Sequence, residues 1–453
     1  MKYIFRAYDV RGVFNRELTA ETAARIGMAF GSYLGGGKRV LVGRDTRTSS
    51  EILEAAFSSG LASTGCHVYS TGMVPIPTAN FAIWRGGYDA GAYITASHNP
   101  PEYNGVRFRH PDGSGYTKEN EKVKGIFFKG SFKLADWRTP GAMVRLDPNA
   151  AIAEYSNFLL PKFRLKRPLK AVLDTGNGAA CLTAPHLLKA LGCEITTINA
   201  QPDGTFPGRP SEPSEESLGD LKKAVSSGGT DFGAGYDGDG DRAVFVDDLG
   251  RVVQTEKVGI IVARELLARR KGRIVANVSC SMIVEREIEK LGGKVERVRV
   301  GDVFVCEAIK RHKALFAMET SAHYFLPSFY IFDDPVLMTL QLAEILAKGK
   351  ERLSELVDAI PSYPTLTENL QCPDEVKFQV MEEIIKGCKA KGYKLDLTDG
   401  VKLLFQDGWA LLRPSNTNPL IRAAVEAETE GRAKALLALV KKEFRRALEK
   451  KKG

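Results

Sequence analysis

The sequence lacks paired cysteines and long hydrophobic runs, and each absence excludes a class of protein. Its seven cysteines are scattered without a CxxC pair, which argues for reduced thiols and against structural zinc. No stretch approaches the roughly 20 apolar residues that a membrane span needs. The amino terminus carries early charges and no long apolar core, so it does not resemble a signal peptide. We therefore expect a cytoplasmic protein without a membrane partner.

Three common nucleotide and hydrolase motifs are also missing. There is no Walker A sequence, because the Gly-Gly-Lys at 36–38 lacks an upstream glycine and a following Ser or Thr. The segment 176–181, GNGAAC, lacks the third glycine of a dinucleotide fingerprint. No G-x-S-x-G surrounds Ser97, so a hydrolase nucleophile elbow is excluded.

The composition is that of a globular protein with a basic balance. The chain has 453 residues, of which 43% are hydrophobic and 26% charged, and this length suggests about three to four domains. Lys and Arg outnumber Asp and Glu by 64 to 55, for a net charge of +9. This excess suits an anionic substrate, or it is only solvated surface charge. The basic run at 441–446 has apolar residues at helical spacing, which predicts a terminal helix rather than a nucleic-acid site.

Apolar strands alternate with helical patterns along most of the chain, which indicates α/β units. In the first segment we predict helices over 19–34 and 50–64, and strands over 39–43, 66–70 and 90–95. Further on we predict strands over 170–173, 230–234, 273–277 and 294–300, and helices over 179–191, 257–269 and 282–291. The last segment reads as strands around 402–405 and 409–412 between helices at 375–389 and the carboxyl terminus.

Irregular or proline-containing stretches separate four predicted domains. Residues 131–149 are irregular, an aspartate-rich turn follows at 247–250, and two prolines lie at 361 and 364. We therefore predict domains over 1–147, 148–249, 250–363 and 364–453. The expected fold class is three related mixed-sheet α/β domains followed by a smaller α+β domain.

Three aspartates alternate with glycines in the segment 237–242, DGDGDR. The glycines let the backbone curl, so that Asp237, Asp239 and Asp241 can point at one centre. Carboxylates this close repel each other unless a cation neutralises them, and their oxygens suit Mg²⁺ or Ca²⁺. An EF-hand is excluded, because its sixth position needs Gly and this chain has Arg242 there. Arg242 adds a fixed positive charge suited to phosphate; the bland alternative is a polar turn.

A serine follows a short apolar strand in the segment 95–100, TASHNP. A serine hydroxyl is a poor nucleophile without help, and His98 lies beside Ser97. In isolation this sequence is more often an ordinary turn. The aspartates downstream favour a nucleophile for phosphoryl transfer beside a divalent cation.

Two later loops are dense in hydrogen-bonding groups. The segment 413–419, RPSNTNP, is followed by another arginine and could cradle a phosphate. The segment 318–324, METSAHY, places Glu, Ser and His at alternate positions, where they could hold a polyol. A plain polar loop and an ordinary strand end are the respective alternatives.

Taken in order, these segments resemble the α-D-phosphohexomutase family over the whole length of the chain. The opening segment 5–12, FRAYDVRG, resembles the start of the family, and the serine, aspartate, sugar and phosphate loops follow in the family's order. The resemblance implies that the four domains surround a central cleft and that the last domain is mobile.

The resemblance also implies an activity and a cofactor. A phosphorylated Ser97 would convert hexose 1-phosphate and hexose 6-phosphate into each other through a bisphosphorylated sugar. Mg²⁺ would be held by Asp237, Asp239, Asp241 and a phosphoserine oxygen, and a sugar 1,6-bisphosphate would act as activator. The partners would be small-molecule sugar phosphates, and the protein a monomer or homo-oligomer.

The family pattern assigns roles to two sets of residues in this chain. The implied catalytic set is Ser97, His98, Arg107, Arg242 and His323. The implied substrate-binding set is Tyr8, Arg11, Glu319, Ser321, Arg413, Ser415, Asn416, Thr417 and Arg422.

The chain departs from the family pattern at four positions. Arg107 stands where the family commonly has Lys. An arginine stays protonated up to about pH 12, so it is a poor base. Arg107 is better suited to act as an electrostatic clamp. Asp302 stands where some members have His. Met318 and Ala322 replace glycines of the sugar loop, and Ala322 requires negative φ or strain. We therefore regard His323 as the candidate general base.

Two alternatives to a mannose and glucose phosphomutase stay open. The first keeps the chemistry and changes the sugar, giving a phosphopentomutase or a phosphoglucosamine mutase. The sequence Ser415-Asn416-Thr417 favours the hexose, since glucosamine mutases more often carry Ser-Gly-Thr there. The second is a sugar-phosphate-binding protein without turnover, which the departures at Arg107, Met318 and Ala322 motivate.

Overall fold

The structure is a computed structural model that describes residues 4–6, 8–415 and 419–452. The elements of the first segment are β1 (Val10–Val13), α1 (Ala20–Leu34), β2 (Arg39–Arg44), α2 (Ser50–Ala62), β3 (His67–Met73), α3 (Ile76–Arg85), β4 (Ala90–Ile94), β5 (Tyr103–Arg109), α4 (Glu119–Lys129) and β6 (Met143–Arg145). Its six-stranded sheet has the order β1-β5-β4-β2-β3-β6. Strands β2, β3, β4 and β6 are parallel neighbours, whereas β5 runs antiparallel to β4 and β1.

Helices α1 and α2 pack against each other at close range. A Cβ on Gly60 would lie 1.9 Å from the Ala24 carbonyl oxygen, and one on Gly27 would lie 2.1 Å from that of Phe57. Glycine at both positions therefore lets the helix backbones touch. Helix α1 begins where predicted, because the Thr19 hydroxyl accepts a hydrogen bond from the Thr22 amide.

The second segment contains α5 (Pro148–Leu159), β7 (Lys170–Asp174), α6 (Ala184–Ala190), β8 (Glu194–Ile198), α7 (Gly219–Ser226), β9 (Phe232–Tyr236) and β10 (Ala243–Asp247). Its sheet has the order β10-β9-β7-β8, and β9 and β10 form an antiparallel hairpin. The single helix predicted over 179–191 is wrong. A short 3₁₀ turn (Ala179–Leu182) precedes α6, because Pro185 cannot donate a hydrogen bond within a helix and starts a new one instead.

The third segment contains α8 (Thr255–Arg269), β11 (Arg273–Asn277), α9 (Ile283–Lys290), β12 (Lys294–Val298), α10 (Asp302–His312), β13 (Phe316–Met318), β14 (Tyr324–Phe325), α11 (Pro335–Lys348) and α12 (Leu353–Asp358). Strand β11 pairs in parallel with both β12 and β13. The glutamate of the sugar loop follows β13 directly, as the sequence predicts.

The fourth segment contains β15 (Thr365–Gln371), α13 (Lys377–Ala390), β16 (Lys394–Asp396), β17 (Val401–Phe405), β18 (Gly408–Pro414), β19 (Leu420–Ala427) and α14 (Glu430–Lys452). The sheet is antiparallel in the order β15-β19-β18-β17-β16. Three α/β segments and a smaller α+β segment confirm the expected fold class.

By contacts between residues, the chain divides into two compact units. The first comprises 1–265 and 321–357, and the second 266–320 and 358–453. This division cuts the third segment, so the domain limits at 147, 249 and 363 stay predictions. Among the described residues, none of the helices is both long and apolar enough to span a membrane.

Candidate active site

Ser97 sits in a tight turn between β4 and β5. Its backbone φ is +51°, and the residue is only 1% exposed. The Ser97 amide donates to the Thr95 hydroxyl at 2.8 Å, and its own hydroxyl donates to Asp237 Oδ2 at 3.2 Å. His98 Nδ1 lies 3.3 Å from the same hydroxyl. The structure thus brings together the serine, the histidine and an aspartate that the sequence places 140 positions away.

A buried arginine that sequence reasoning missed holds this turn. The Arg47 guanidinium donates to the backbone carbonyls of Ser97, Asn99, Pro100 and Tyr103 at 2.6–3.1 Å. Its Nε donates to Asp45 Oδ2 at 3.1 Å, and both side chains are fully buried. An Asp and an Arg just after the apolar strand β2 were the only signal in the sequence.

The aspartate loop lies at the β9–β10 hairpin and packs on the serine turn. Asp237 Oδ1 accepts from the backbone amides of Gly240, Asp241 and Arg242 at 3.1–3.2 Å. A Cβ on Gly238 would lie 3.0 Å from the Ser97 carbonyl oxygen and 2.4 Å from the Ser211 hydroxyl, so only glycine allows this approach. Ser211 also donates to that carbonyl at 3.0 Å.

The three loop carboxylates fit a hard divalent cation. One oxygen from each of Asp237, Asp239 and Asp241 lies within 4.8 Å of the others. Asp239 Oδ1 and Asp241 Oδ1 are buried and accept no hydrogen bond from any described residue. Buried acceptors without a donor are costly, and oxygen-only ligands suit Mg²⁺. These orphaned oxygens are the structural observation that supports a cation at this position.

The pKa values of these three carboxyl groups are shifted, because the groups are buried close to one another and to other charges. Burial, followed by the charges of Asp241 and Asp239, raises the pKa of Asp237 well above its ordinary value. Burial and Asp241 raise the pKa of Asp239 to about 7. Burial also opposes ionisation of Asp241, but His323, Arg107 and Arg242 outweigh it and lower the pKa of that carboxyl. A cation would replace this uneven protonation with three ionised ligands.

Arg107 acts on the aspartate loop in the manner of a clamp. Its Nη1 lies 2.7 Å from Asp241 Oδ2 and 3.9 Å from Asp239 Oδ2. The position is on β5, which follows the serine turn. The guanidinium is thus placed to hold charge and not to accept a proton.

His323 is buried between an arginine and an aspartate. Its Nδ1 lies 2.5 Å from Asp333 Oδ2, and Arg242 Nε donates to its Nε2 at 3.0 Å. Burial opposes its charge, but Asp241 and Asp333 raise the pKa of His323 to about 9. A doubly protonated ring could not accept from Arg242, so the hydrogen bonds describe the neutral tautomer that a cation beside Asp241 would favour. Action as a base requires release of one of these two partners.

His98 lies in a positively charged environment. Arg242, followed by burial and Arg11, lowers the pKa of His98 to about 2. The imidazole is therefore neutral at physiological pH. Arg11 donates to Asn99 and to Asp9 near the same turn, and Tyr8 is half-buried close by in the sequence.

A side chain at the end of β11 positions the glutamate of the sugar loop. Glu319 Oε1 accepts from the Asn277 side-chain amide at 3.0 Å and from the Gly301 amide at 2.8 Å. Ser321 is half-buried, and Asp302 is buried at the start of α10. Ala322 has φ of +65°, the strained conformation that the sequence offered as one of two possibilities.

The predicted phosphate loop begins inside β18, because Arg413 and Pro414 are the last two residues of that strand. Arg413 Nη1 donates to Asp399 at 3.4 Å, and the Ser415 carbonyl accepts from Lys377 at 2.6 Å. Arg422 is exposed on β19. Asn416 and Thr417, also expected to bind phosphate, lie outside the described residues.

Four domain models of one protein family match successive parts of the chain. Residues 2–134, 151–250 and 254–363 match phosphoglucomutase/phosphomannomutase alpha/beta/alpha domains I, II and III, and residues 368–443 match the C-terminal domain of the same family.

Relatives that match over nearly the whole chain also carry phosphomutase names. A "Phosphoglucomutase/phosphomannomutase" from Thermococcus kodakarensis is 39% identical over 99% of this chain and 100% of its own. A "Probable phosphoglucosamine mutase" from Methanopyrus kandleri is 39% identical over 95% of each chain. The crystal structure of a phosphoglucomutase/phosphomannomutase family protein from Burkholderia thailandensis superposes with a TM-score of 0.89 at 30% identity, over 100% of this chain and 98% of that one. The chain therefore belongs to the phosphoglucomutase/phosphomannomutase family of phosphomutases, which are intramolecular phosphotransferases.

Proposed function

We propose that this phosphomutase interconverts hexose 1-phosphate and hexose 6-phosphate, with mannose and glucose phosphates as substrates. One observation carries the proposal: the Ser97 hydroxyl donates to Asp237 beside two buried carboxylate oxygens that lack any described donor. A phosphoryl group on Ser97 would meet a bound cation at this point.

The chemistry balances as two transfers. The phosphoryl group leaves Ser97 Oγ for a free hydroxyl of the sugar monophosphate, and that hydroxyl loses its proton to a base. The resulting bisphosphate turns around and returns its other phosphoryl group to Ser97 Oγ, and the sugar oxygen that this group leaves receives the proton back. Asp237, Asp239 and Asp241 would hold Mg²⁺, which would offset the charge that develops on the transferred group. A trace of sugar 1,6-bisphosphate would load Ser97 at the start.

The charged residues around Ser97 would divide the remaining work. Arg107 and Arg242 would hold the aspartate loop and the transferred phosphoryl group, since both side chains lie against Asp241. His98 would stay neutral and orient the serine hydroxyl. His323 would take the sugar proton once substrate has displaced Arg242 from its Nε2.

The remaining predicted residues would recognise the substrate. Glu319 and Ser321 would bind O3 and O4, which are placed alike in glucose and mannose, so both sugars would be accepted. Tyr8 and Arg11 would lie near the phosphoserine. The phosphate that does not react would be held by Arg413, Ser415, Asn416, Thr417 and Arg422.

A phosphoglucosamine mutase is the second candidate, and the Methanopyrus relative favours it. The residues that hold the phosphoserine would be the same, so the difference lies in the sugar. A phosphopentomutase is the third candidate, and a sugar-phosphate-binding protein without turnover is the fourth.

Phosphorus NMR would decide between these candidates. Purified protein with Mg²⁺ and a trace of glucose 1,6-bisphosphate would receive mannose, glucose, glucosamine or ribose 1-phosphate in parallel. We expect 6-phosphates from mannose and glucose, and no turnover by Ser97→Ala, which is the matched control. Faster conversion of glucosamine or ribose phosphate would overturn the sugar assignment. No conversion in any tube by protein shown to carry phosphoserine would favour the binding protein.

A further inference from the structure

A cavity lies in the first segment, between helix α2 and the strands β2, β3 and β6. It has a volume of about 300 Å³. Its lining includes Arg44 at the end of β2, Ser70 on β3 and Arg145 at the end of β6. The catalytic serine follows β4, so this cavity shares no residue with the site described above.

Helix α2 supplies the opposite wall from one face. Residues 51, 54, 55 and 58 line the cavity, and their spacing places them on the same side of the helix. Glu54 is buried, with Ser70 donating to one carboxylate oxygen and Arg44 lying 3.0 Å from the other. A buried ion pair of this kind gives the wall a fixed polar geometry.

Two polar groups of this cavity have no partner within the described part of the chain. The Ser58 hydroxyl is buried in a residue that is 2% exposed, and no described atom forms a hydrogen bond with it. Arg145 is exposed and forms no ion pair with the described residues. A buried hydroxyl without a partner costs free energy that a ligand or water would recover.

We propose that this cavity binds a small hydroxylated anion, with Arg145 facing its charged group and the Ser58 hydroxyl meeting one of its hydroxyls. The acidic side chains of α2 would accept hydrogen bonds from further hydroxyls. Val68, Met143 and Leu146 supply an apolar surface for the carbon skeleton. The volume suits a molecule of the size of a sugar phosphate or a hydroxy acid.

Methyl NMR on the full-length Mg²⁺-loaded protein would test this site directly. With ¹³C-labelled methionine methyls, Met143 reports on the cavity and Met318 on the sugar loop. Sorbitol 6-phosphate is the probe, because it combines several hydroxyls with one phosphate group; sorbitol and inorganic phosphate are its controls. We expect a saturable shift of Met143 with the probe and a much weaker effect of either control.

Two variants separate the site from a general charge effect. Arg145→Gln should weaken probe binding at Met143 about tenfold or more, since one charge-assisted hydrogen bond is lost. Ser58→Ala should weaken it a few-fold. Arg138→Gln, an exposed arginine of the same region outside the cavity, is the matched control and should change nothing.

Three outcomes would overturn the proposal. The first is a shift confined to Met318, which places the probe at the catalytic site alone. The second is equal weakening by Arg138→Gln and Arg145→Gln. The third is a Met143 shift that depends on protein concentration without probe, which would mean that a second copy of the chain covers the cavity. None of these results bears on the mutase reaction, which the phosphorus NMR measures independently.

Discussion

The first parallel strand of each of the three α/β segments ends in the same kind of side chain. Asp45, Asp174 and Asn277 follow or end β2, β7 and β11. The Oδ1 atom of each accepts from the backbone amide two residues later, at 3.0, 2.9 and 3.1 Å respectively. The three segments therefore share one turn after this strand, although their sequences differ.

Asp45, Asp174 and Asn277 bind different partners beyond this turn. Asp45 pairs with the buried Arg47, and Asp174 pairs with the buried Arg209 at 2.8 Å. Asn277 instead donates its amide to Glu319. In the first two segments an aspartate therefore binds a buried arginine. In the third segment an asparagine binds a buried glutamate. An aspartate thus marks the two segments proposed to carry the phosphoryl-transfer residues, and an asparagine marks the one expected to bind sugar.

The largest effect should come from breaking this arrangement at Arg47. In Arg47→Met, Asp45 becomes a buried charge without its partner, and the carbonyls of the serine turn lose their donor. We expect about 3–5 kcal/mol of lost stability, together with a fall in kcat of about 100-fold or more from misplacement of Ser97. Thermal unfolding and turnover at saturating Mg²⁺ measure the two effects. Arg16→Met, at an exposed arginine, is the control; normal turnover by a folded Arg47→Met protein would contradict the positioning role.

The same substitution at Arg209 should act on the cation and less on the nucleophile. Arg209 donates to the Tyr236 carbonyl at 2.6 Å, directly before the aspartate loop. Loss of such outer support typically weakens metal binding about 10–100-fold. Titration of activity with Mg²⁺ should show this shift in Arg209→Met, with kcat at saturating Mg²⁺ closer to wild type than in Arg47→Met. The reverse order of the two variants would refute the division of labour.

The comparison can also be tested in the third segment, by changing the Asn277 amide to a carboxylate. Asn277→Asp would place a second carboxylate about where the amide now donates to Glu319, so the two acids would repel each other. We expect KM for the hexose phosphate to rise about tenfold, with a smaller change in kcat. Steady-state kinetics of this variant and of the exposed control Asn149→Asp provide the measurement. An unchanged KM would mean that Glu319 does not bind the sugar.

A buried cation without a carboxylate partner behaves differently from Arg47 and Arg209. Lys402 donates to the Val278 carbonyl at 2.6 Å, and burial, followed by Arg297, lowers its pKa to about 7. The unfolded chain therefore binds more protons between about pH 7 and pH 10.5, so this residue makes stability rise as pH increases through that window. Denaturant unfolding across the window should show a flatter profile for Lys402→Met. An identical slope in both proteins would disprove this contribution.

The smallest effect concerns backbone strain at two loops. Ser97 and Ala322 both have positive φ, but only Ser97 carries a hydroxyl that the proposed reaction needs. Ala322→Gly should raise the free energy of unfolding by up to about 1 kcal/mol, because glycine adopts this conformation without the steric cost. Ala343→Gly, in the middle of α11, should instead destabilise by about the same amount. Equal destabilisation by both changes would argue against strain at Ala322.

Local signals in the sequence account for what could be predicted. Apolar strands alternating with helices predicted the fold class, and the helical pattern over 19–34 predicted the position of α1. The serine turn and the aspartate loop carry their chemistry within a few residues, so both were identifiable before their contact at Ser97 and Asp237 was known.

What sequence reasoning missed depends on partners that are distant along the chain. Arg47 acts on carbonyls about 50 residues later, and Arg209 on Tyr236. Asp333, which forms a β-bridge with Phe325, orients His323 from ten residues later. Nothing local distinguishes these residues from surface charges, because their roles follow from burial. Pro185, in contrast, was a local signal against a continuous helix over 179–191.

The contacts around Ser97 also limit how the chain can be divided. Arg47 packs 5.0 Å from the Phe206 ring, and Ser211 donates to the Ser97 carbonyl from the same neighbouring segment. An excised first segment would keep its sheet but lose these supports from outside it. The turn of the proposed nucleophile is therefore shaped by two segments, and a chimera that exchanged only one of them with a relative would inherit the serine without the surface that shapes its turn.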